Sequence, residues 1–384
     1  AIMYSVMIDR FNNGNPDNDN CYGRNLDLDS NVRTEYKDGP GVFHGGDLKG
    51  ITEKLKEGYF NDLGVEVLVI TPPYEQIHGF ISGNASGGTI EGNGTGFPYY
   101  SYHGHWAMDY SNIDANYGTE EDFRELVDTA HSKGIKVIIE IDFNDVGYIT
   151  AIDADAYDIC ELTEGWKDYY YGDLTNLNGH DKDKFIWYNL NSSKWATGWW
   201  GPDFIRTSTK IPEYDVVEKC DINTPDLTKC YYDLPDLKTE NEKITELPPL
   251  IKNKWTKEGR FEKEVQELDN FFNERNIPRI PRNYIIKWLT DYIRKFGIDG
   301  FKCPLVNYVA KESWEDLRNE VDVAFEEYKD KKETIDKSSK FYMIGSIKFK
   351  GVYEDETYGH IFDSFMNFNF TDVAEENVND KYNE

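Results

Sequence analysis

Long hydrophobic runs and a surplus of basic residues are both missing from this sequence of 384 residues. No stretch approaches the roughly 20 consecutive apolar residues of a membrane-spanning helix, so we expect no membrane insertion. The 42 Lys and Arg are outnumbered by 71 Asp and Glu, which gives a net charge of −29 at pH 7. Binding to phosphates or to anionic lipid surfaces needs clustered cations. We therefore expect no nucleic-acid partner.

Cysteine is also scarce, and the five residues form no CxxC pair of the kind that holds zinc. Cys220 and Cys230 bracket a short polar loop that a disulfide could close. Four Asn-x-Ser/Thr motifs are candidate N-glycosylation sites in polar loops. Disulfides are typical of oxidising, exported environments, which favours a secreted or extracellular protein. The candidate glycosylation residues are Asn84, Asn93, Asn191 and Asn369.

Strand-like apolar runs alternate with helical patterns along the chain, which is typical of βαβ units around a parallel sheet. The alternation stops at about Val146 and resumes after Asn276, and the polar, aromatic stretch between them is too long for a simple connection. We therefore predict three parts: 1–145 with strands 1 to 3, 146–276 as an inserted subdomain, and 277–384 with strands 4 to 6. The predicted strands are Ile2–Ile8, Val65–Ile70, Ile135–Phe143, Ile298–Val306, Phe341–Ile347 and a segment near Phe362–Phe370, and the predicted helices are Ile51–Leu63, Glu120–Lys133, Asn283–Phe296 and Trp314–Lys332.

Several sequence blocks carry a family signature, among them "MIDRFNNGNPDNDN", "FHGGDLKGITEKL", "LPDLKTE" and "FGIDGFK". Together they resemble the α-amylase family of glycoside hydrolases, family 13. The blocks "PPYEQIHGF" and "GWWGPDFIR" more closely resemble its bacterial periplasmic branch. The resemblance implies a (β/α)8 TIM-type barrel, with an inserted B domain after the third strand and the functional site at the C-terminal ends of the strands.

Six strands are two short of a closed barrel. We therefore expect the barrel to be truncated after its sixth strand, with two strand edges left unpaired. Unpaired strand edges are an aggregation hazard unless another element covers them. A partner protein or a missing chain segment is expected to cover these edges.

Retaining glycoside hydrolysis needs a carboxylate nucleophile and a carboxylic acid, about 5 to 5.5 Å apart on opposite sides of the scissile bond. The resemblance assigns the nucleophile position to Pro304 and the general-acid position to Ser346. Proline has no nucleophilic side chain, and a serine hydroxyl is far too weak an acid to protonate a glycosidic oxygen at neutral pH. Both catalytic positions are therefore predicted to be inactive.

Other positions of the family's site are replaced as well. The arginine that orients the nucleophile corresponds to Lys302, and the aromatic stacking platform corresponds to His105. At the end of the third strand, the family's Asp and His correspond to Glu140 and Asp145, and only Asn144 is retained. Carboxylates remain near that strand alone, so no acid is expected to face them from the fourth or fifth strand. We interpret the site as catalytically degenerate.

Three functional hypotheses are open at this point. The first is a pseudoenzyme that serves as a structural or protein-interaction module in a secreted or extracellular assembly. The second is an α-glucan-binding protein without hydrolysis, in which Trp106, Trp199, Trp200 and tyrosines stack on sugar rings. The third is a residual α-amylase-type hydrolase in which a displaced carboxylate such as Glu140 has taken over.

The loop "NNGNPDNDN" is crowded with side-chain oxygens, the ligands that Ca²⁺ prefers. An Asx-rich turn without metal is the alternative interpretation. The resemblance implies a structural calcium site, because family members with this loop bind calcium through it and the following "GGD" block. The implied ligands are Asn13, Asn15, Asn18, Asp19, the carbonyl of Gly45, and Asp47.

Overall fold

The computed structural model describes residues 1–24, 26, 29, 31, 39, 41–83, 97–160, 162, 164–167, 195–208, 219–220, 225–332, 337–347 and 358–368. The four candidate glycosylation residues, Asn84, Asn93, Asn191 and Asn369, lie outside these ranges. Among the described helices, none is long and apolar enough to cross a membrane.

Six parallel strands form one sheet in which each strand pairs with the next along the chain. This order confirms the predicted TIM-type α/β architecture as far as the sixth strand. The second strand is buried at every position, as expected for a parallel strand that is covered on both faces. The strands are β1 (Met3–Val6), β2 (Val67–Ile70), β3 (Lys136–Glu140), β4 (Gly300–Cys303), β5 (Tyr342–Gly345) and β6 (Ser364–Phe365).

The outer strands of this sheet are β1 and β6, and no described strand pairs with their outward sides. Met3 of β1 lies beside Val67 of β2 in the register. Met3 is 45% exposed, whereas Val67 is 8% exposed. The sheet face that a closed barrel would enclose is therefore open to solvent at its β1 edge.

The predicted strand Ile298–Val306 is wrong at both ends, because β4 spans four residues only. Pro304 has no N–H to donate to a neighbouring strand. Leu305 adopts a left-handed conformation with φ of 52°, and the chain then turns through the short 3-10 helix Val306–Tyr308. The predicted strand Ile2–Ile8 is also too long, because β1 ends at Val6 and the helix Ile8–Phe11 begins two residues later.

Long helices cover the outside of the sheet. The predicted helix Ile51–Leu63 is wrong at both ends: the helix begins after Asp47, whose side chain accepts the N–H of Gly50, and it ends at Gly58 with φ of 87°. Four of the helices are α1 (Leu48–Glu57), α2 (Glu120–Ser132), α3 (Pro281–Phe296) and α4 (Lys311–Lys331), and the others are Ile8–Phe11, Tyr59–Asp62, Ala151–Ala156, Trp195–Gly198, Pro249–Lys257 and Phe261–Arg275.

Smaller sheets lie beside the parallel sheet. Cys220, at the end of a strand in one of them, is joined to Cys230 by a disulfide with a Cα separation of 5.7 Å. This is the bond that the spacing of the two cysteines suggests. The strands pair as Tyr74–Gln76 with Ala107–Ile113, Ile81–Gly83 with Phe97–Tyr99, and Ile205–Ser208 with both Asp236–Leu237 and Lys219–Cys220.

Trp199 and Trp200 belong to the hydrophobic core, and both are 0% exposed. The indole N–H of Trp199 donates to the carbonyl of Gly147 at 3.1 Å. The ring of Trp200 packs against Phe204 and Trp288, with centroid separations of 5.8 and 6.3 Å. The expectation that these two tryptophans stack on sugars is therefore wrong, because their apolar area is already buried inside the protein.

Arg24 is fully buried and fastens the N-terminal loop to the body of the protein. Its guanidinium donates to both oxygens of Asp114 at 2.7 and 2.9 Å and to Asn116 at 2.8 Å. It also donates to the carbonyls of Gln76 and Ile77 at 3.0 and 2.8 Å. Burial works against the charge of Arg24, but the Asp114 carboxylate outweighs it and keeps the pKa of Arg24 above its usual range. The planar fork of arginine suits such bidentate pairing.

Replacing Arg24 should strongly destabilise the fold. In Arg24→Met, the buried Asp114 loses its counterion, and we expect the free energy of unfolding in urea to fall by about 3–5 kcal/mol. The control is Lys243→Met, because Lys243 is 66% exposed and pairs with Asp203 at 2.8 Å. That exposed pair should contribute at most about 1 kcal/mol. Equal losses in the two variants would contradict the structural role of Arg24.

Candidate functional site

A cleft of about 600 Å³ lies at the C-terminal ends of the central strands. Parallel strands place their carboxyl ends at the same edge of the sheet, so the residues that follow them meet there. Lys302 of β4 lies beside Glu140 of β3 in the register, and Ser346 directly follows β5. The cleft brings together the retained Asn144 and the six replaced positions named above: His105, Glu140, Asp145, Lys302, Pro304 and Ser346.

An ion pair joins β3 and β4 at the cleft. Nζ of Lys302 lies 3.0 Å from Oε2 of Glu140, and these side chains are 21% and 15% exposed. Two opposite charges this close and this well shielded attract each other strongly. The carboxylate at the end of β3 is therefore already held by a cation from the neighbouring strand.

A second ion pair joins His105 to Asp142. Nδ1 of His105 lies 3.0 Å from Oδ1 of Asp142. The other oxygen of Asp142 accepts the hydroxyl of Tyr74 at 2.9 Å. Burial alone would lower the pKa of His105, but the nearby carboxylates, first that of Asp142, outweigh it and raise the pKa to about 9. The imidazole of His105 is therefore a cation at neutral pH.

Burial shifts the pKa of two further groups on this side of the cleft toward the neutral form. Asp145 is 4% exposed, and its burial, followed by the charge of Asp142, raises the pKa of Asp145 well above its usual range. Nδ2 of Asn144 donates to the Asp145 carboxyl at 2.6 Å. Burial and the adjacent His105 cation lower the pKa of His103 well below its usual range. Both pKa shifts favour the uncharged form of the side chain.

Another part of the cleft lining, called the wall below, is aromatic and apolar. Tyr231 and Tyr232 follow Cys230 in the chain, and Tyr232 is 56% exposed with φ of 53°. Sequence reasoning missed this wall, and the signal that could have found it was the pair of tyrosines directly after Cys230. The remaining described residues of the wall are Leu234, Leu305, Met366 and Phe368.

Acidic side chains line only one side of the cleft among the described residues. Glu140, Asp142 and Asp145 lie at the end of β3 or just beyond it, while Pro304 and Ser346 follow β4 and β5. Retaining hydrolysis uses two carboxyl groups about 5 to 5.5 Å apart on opposite sides of the sugar. Among the described residues that line the cleft, those that follow β4 and β5 include no carboxyl group.

The oxygen-rich N-terminal loop lies against α1. A Cβ built on Gly14 would lie 2.4 Å from the backbone N of Gly50, and one built on Gly50 would lie 1.9 Å from the carbonyl O of Asn12. Only glycine allows two backbones to approach so closely. Asp47 fixes the same junction, because its carboxylate accepts the N–H groups of Gly50 at 2.6 Å, Gly14 at 3.1 Å and Asn15 at 2.8 Å.

Four of the implied calcium ligands lie close together in this loop. Nδ2 of Asn13 lies 2.7 Å from Oδ1 of Asp19, and a Cβ on Gly45 would lie 2.5 Å from each of these atoms. Oδ1 of Asn18 is buried with no hydrogen-bond partner among the described residues. A buried acceptor of this kind is costly, and an oxygen-seeking cation would satisfy it. Clusters of three or more His, Cys, Asp and Glu that suit a metal are not found in the described ranges.

A family model described as "Alpha amylase, catalytic domain" matches residues 5–259. The chain belongs to the α-amylase family. This match confirms the family that the sequence blocks indicate. The periplasmic alpha-amylase of Escherichia coli K12 is 34% identical, over 97% of this chain and 51% of that protein. A cyclomaltodextrin glucanotransferase of Bacillus licheniformis is 34% identical, over 50% of this chain and 23% of that protein.

Among solved structures, the cyclomaltodextrin glucanotransferase CldA is similar with a TM-score of 0.53 and 19% identity, over 96% of this chain and 55% of that chain. At this level of identity the likeness concerns the fold. The chain spans about half the length of the E. coli relative.

The His105–Asp142 pair predicts a pH dependence. Folding raises the pKa of His105 from 6.5 to about 9. The pair therefore stabilises the fold fully below about pH 6.5, and this contribution is lost as the pH rises through about 9. We expect the imidazole NMR resonances of His105 to titrate near pH 9, and Asp142→Asn to lower the midpoint. The exposed carboxylate of Asp155 offers the control, Asp155→Asn, which should leave the midpoint unchanged. A midpoint near 6.5 in the unaltered protein would rule out the pairing.

Proposed function

We propose that this chain is a non-hydrolytic member of the α-amylase family, a pseudoenzyme. The one-sided placement of the cleft carboxylates carries this proposal. Glu140 and Asp142 share the cleft with Pro304 and Ser346, and the described residues that follow β4 and β5 add no second acid to its lining. Each of the two is also paired with a cation, Glu140 with Lys302 and Asp142 with His105. Retaining hydrolysis needs a carboxylate nucleophile and a carboxylic acid on opposite sides of the bond.

The role that we propose for the pseudoenzyme is a structural or protein-interaction module. The outward sides of β1 and β6 support it, because the N–H and C=O groups of an edge strand pair readily with a strand from another segment or chain. Apolar side chains accompany the β1 edge, where Ile2 and Met3 are 56% and 45% exposed. A partner protein or a further chain segment that adds strands would cover both features.

We propose an exported location for the protein. The E. coli relative is a periplasmic enzyme, and the Cys220–Cys230 disulfide suits an oxidising compartment.

A second candidate function is α-glucan binding without hydrolysis. Tyr232 favours it, because this side chain lines the cleft and leaves 56% of its surface exposed. An exposed aromatic ring offers a flat apolar face on which a sugar ring can stack. Trp106 contributes less than its size suggests, since it lines the cleft but is 4% exposed.

Equilibrium dialysis against maltoheptaose, with mass spectrometry of the sugar, tests these functions. We expect only intact heptasaccharide, because no described acid faces the β3 carboxylates across the cleft. Equal concentrations on both sides would support the interaction module. Enrichment on the protein side would support glucan binding, and it should then be lost in Tyr232→Ala and retained in Tyr232→Phe. As a matched control, Tyr59→Ala alters a tyrosine that is 39% exposed outside the cleft lining.

Shortened sugar would overturn the pseudoenzyme proposal. The residual-hydrolase hypothesis would then be tested with Glu140→Ala, which should abolish the cleavage if Glu140 has taken over.

We also propose that the N-terminal loop binds a structural calcium ion. Asn13, Asn18, Asp19 and the carbonyl of Gly45 would hold it, with Asn15 and Asp47 at the adjoining start of α1. The support is the buried Oδ1 of Asn18, which has no hydrogen-bond partner within the described ranges, and the oxygen-rich donor set around it. When bound, the ion would supply positive charge that fastens the loop to α1, and it would take no part in chemistry at the cleft.

Calcium should therefore raise the thermal stability of the protein. We expect the Tm to increase by about 2 °C or more on adding CaCl2 and to fall back with a chelator. Asp19→Ala removes a carboxylate that is 5% exposed and should abolish the increase. Asp17→Asn is the control, because Asp17 is exposed in the same loop. If calcium does not change the Tm of the unaltered protein, the proposed calcium site is excluded.

A further inference from the structure

The cleft wall of Tyr231 and Tyr232 begins directly at a disulfide. Cys230, the residue before Tyr231, is bonded to Cys220, which lies 10 residues earlier in the chain. Cys220 is 1% exposed and ends a strand that pairs with Ile205–Ser208. The disulfide therefore ties the start of the wall to the small sheet between β3 and β4 in the sequence.

The other described attachments of this segment are non-covalent. Before the wall, Asp226 accepts a hydrogen bond from Nδ2 of Asn307 at 2.7 Å. Within it, the ring of Tyr231 lies 5.5 Å from that of Tyr308. Such contacts are individually weak compared with a covalent cross-link. The regular structure in the described part of this segment consists of two short 3-10 helices, Asp226–Thr228 and Tyr231–Asp233.

Tyr232 needs this support because its backbone is strained. Its φ of 53° lies in the left-handed region, which a residue with a side chain occupies only when its surroundings fix it there. The hydroxyl of Tyr148 donates to the carbonyl of Tyr232, but this bond acts on one end of the turn alone. After reduction this backbone would be held by non-covalent contacts alone, including the pairing of Asp236–Leu237 with Ile205–Ser208 that follows the wall.

We propose that the Cys220–Cys230 disulfide is a redox-sensitive positioning element of the cleft. In the oxidised protein it holds Tyr231 and Tyr232 in the cleft wall, and its reduction releases the wall while the parallel sheet stays intact. The separation of the two sheets supports this division, because the strand that carries Cys220 belongs to a different sheet from β1 to β6. The proposal is independent of which ligand the cleft accepts.

The redox step requires a dithiol as reductant. A thiolate of the dithiol attacks the sulfur of Cys230, which is half-buried, and the S–S bond breaks with its electron pair going to the sulfur of Cys220, which takes up a proton. The second thiol then attacks the mixed disulfide, releases the thiol of Cys230 and leaves the reductant as a cyclic disulfide. Two electrons and two protons pass to the protein.

Hydrogen–deuterium exchange of the full chain, with and without dithiothreitol, tests the proposal. The amide of Leu234 reports on the wall, because it donates to the carbonyl of Tyr231 at 3.1 Å. We expect reduction to accelerate exchange in the peptide that contains Leu234 by at least about tenfold. Exchange in Val67–Ile70 of β2 should not change. The double variant Cys220→Ser/Cys230→Ser should show the fast wall without reductant and no further response to it.

The control is Cys21→Ser/Cys160→Ser, which removes two cysteines that are free in the structure and should respond to dithiothreitol as the unaltered protein does. Alkylation and intact mass verify that the disulfide has been reduced. Faster exchange throughout β2 would show that the disulfide stabilises the whole fold, which overturns the proposal. Unchanged exchange in the wall after verified reduction would overturn it as well.

Discussion

The buried pair of Arg24 and Asp114 is the interaction on which the geometry of the cleft depends. Asp114 accepts the backbone N–H of Gln76 at 3.0 Å, so the pair fixes the short strand to which Gln76 belongs. The side-chain oxygen of Gln76 in turn accepts the backbone N–H of Trp106 at 2.6 Å. That bond sets the loop that presents His105 to the cleft. A charge-assisted contact outside the cleft thus determines where one of its cations lies, and the connection runs through hydrogen bonds that leave little freedom.

Within the cleft, the residues that differ from the family pattern satisfy one another. Lys302 pairs with Glu140, and His105 pairs with Asp142, so no cation or anion of these four is left buried alone. Leaving one of these charges buried without its partner would lower the free energy of unfolding by about 3–5 kcal/mol. If one member of such an ion pair is replaced, its former partner must also be replaced or must pair with another charge. The two pairs explain how the barrel scaffold tolerates so different a set of side chains at the ends of its strands.

The sequence predicts the parallel order of the strands and the positions that meet in the cleft, because buried apolar runs and family blocks are local patterns. Strand ends are predicted less well. Nothing in the local pattern around Leu305 reveals its left-handed backbone, so the predicted β4 is longer than the strand in the structure. The ion pairs depend on strand register and on loop placement, which one sequence does not contain. Trp199 and Trp200 were assigned to sugar stacking wrongly because an aromatic side chain serves a core and a binding surface equally well.

The crossing of the N-terminal loop over α1 restricts how the sequence can vary. At Gly14 and Gly50, an added Cβ would meet backbone atoms, not the movable end of a side chain. A clash with a side chain can be relieved by a smaller neighbour, but here the obstructing atoms are backbone atoms of Gly50 and Lys49 on one side and of Asn12 and Gly14 on the other, which every residue has. A second substitution therefore cannot relieve the clash that a first one causes. In a library of variants, we expect glycine to be required at each of the two positions whatever residue stands at the other, although the positions contact each other.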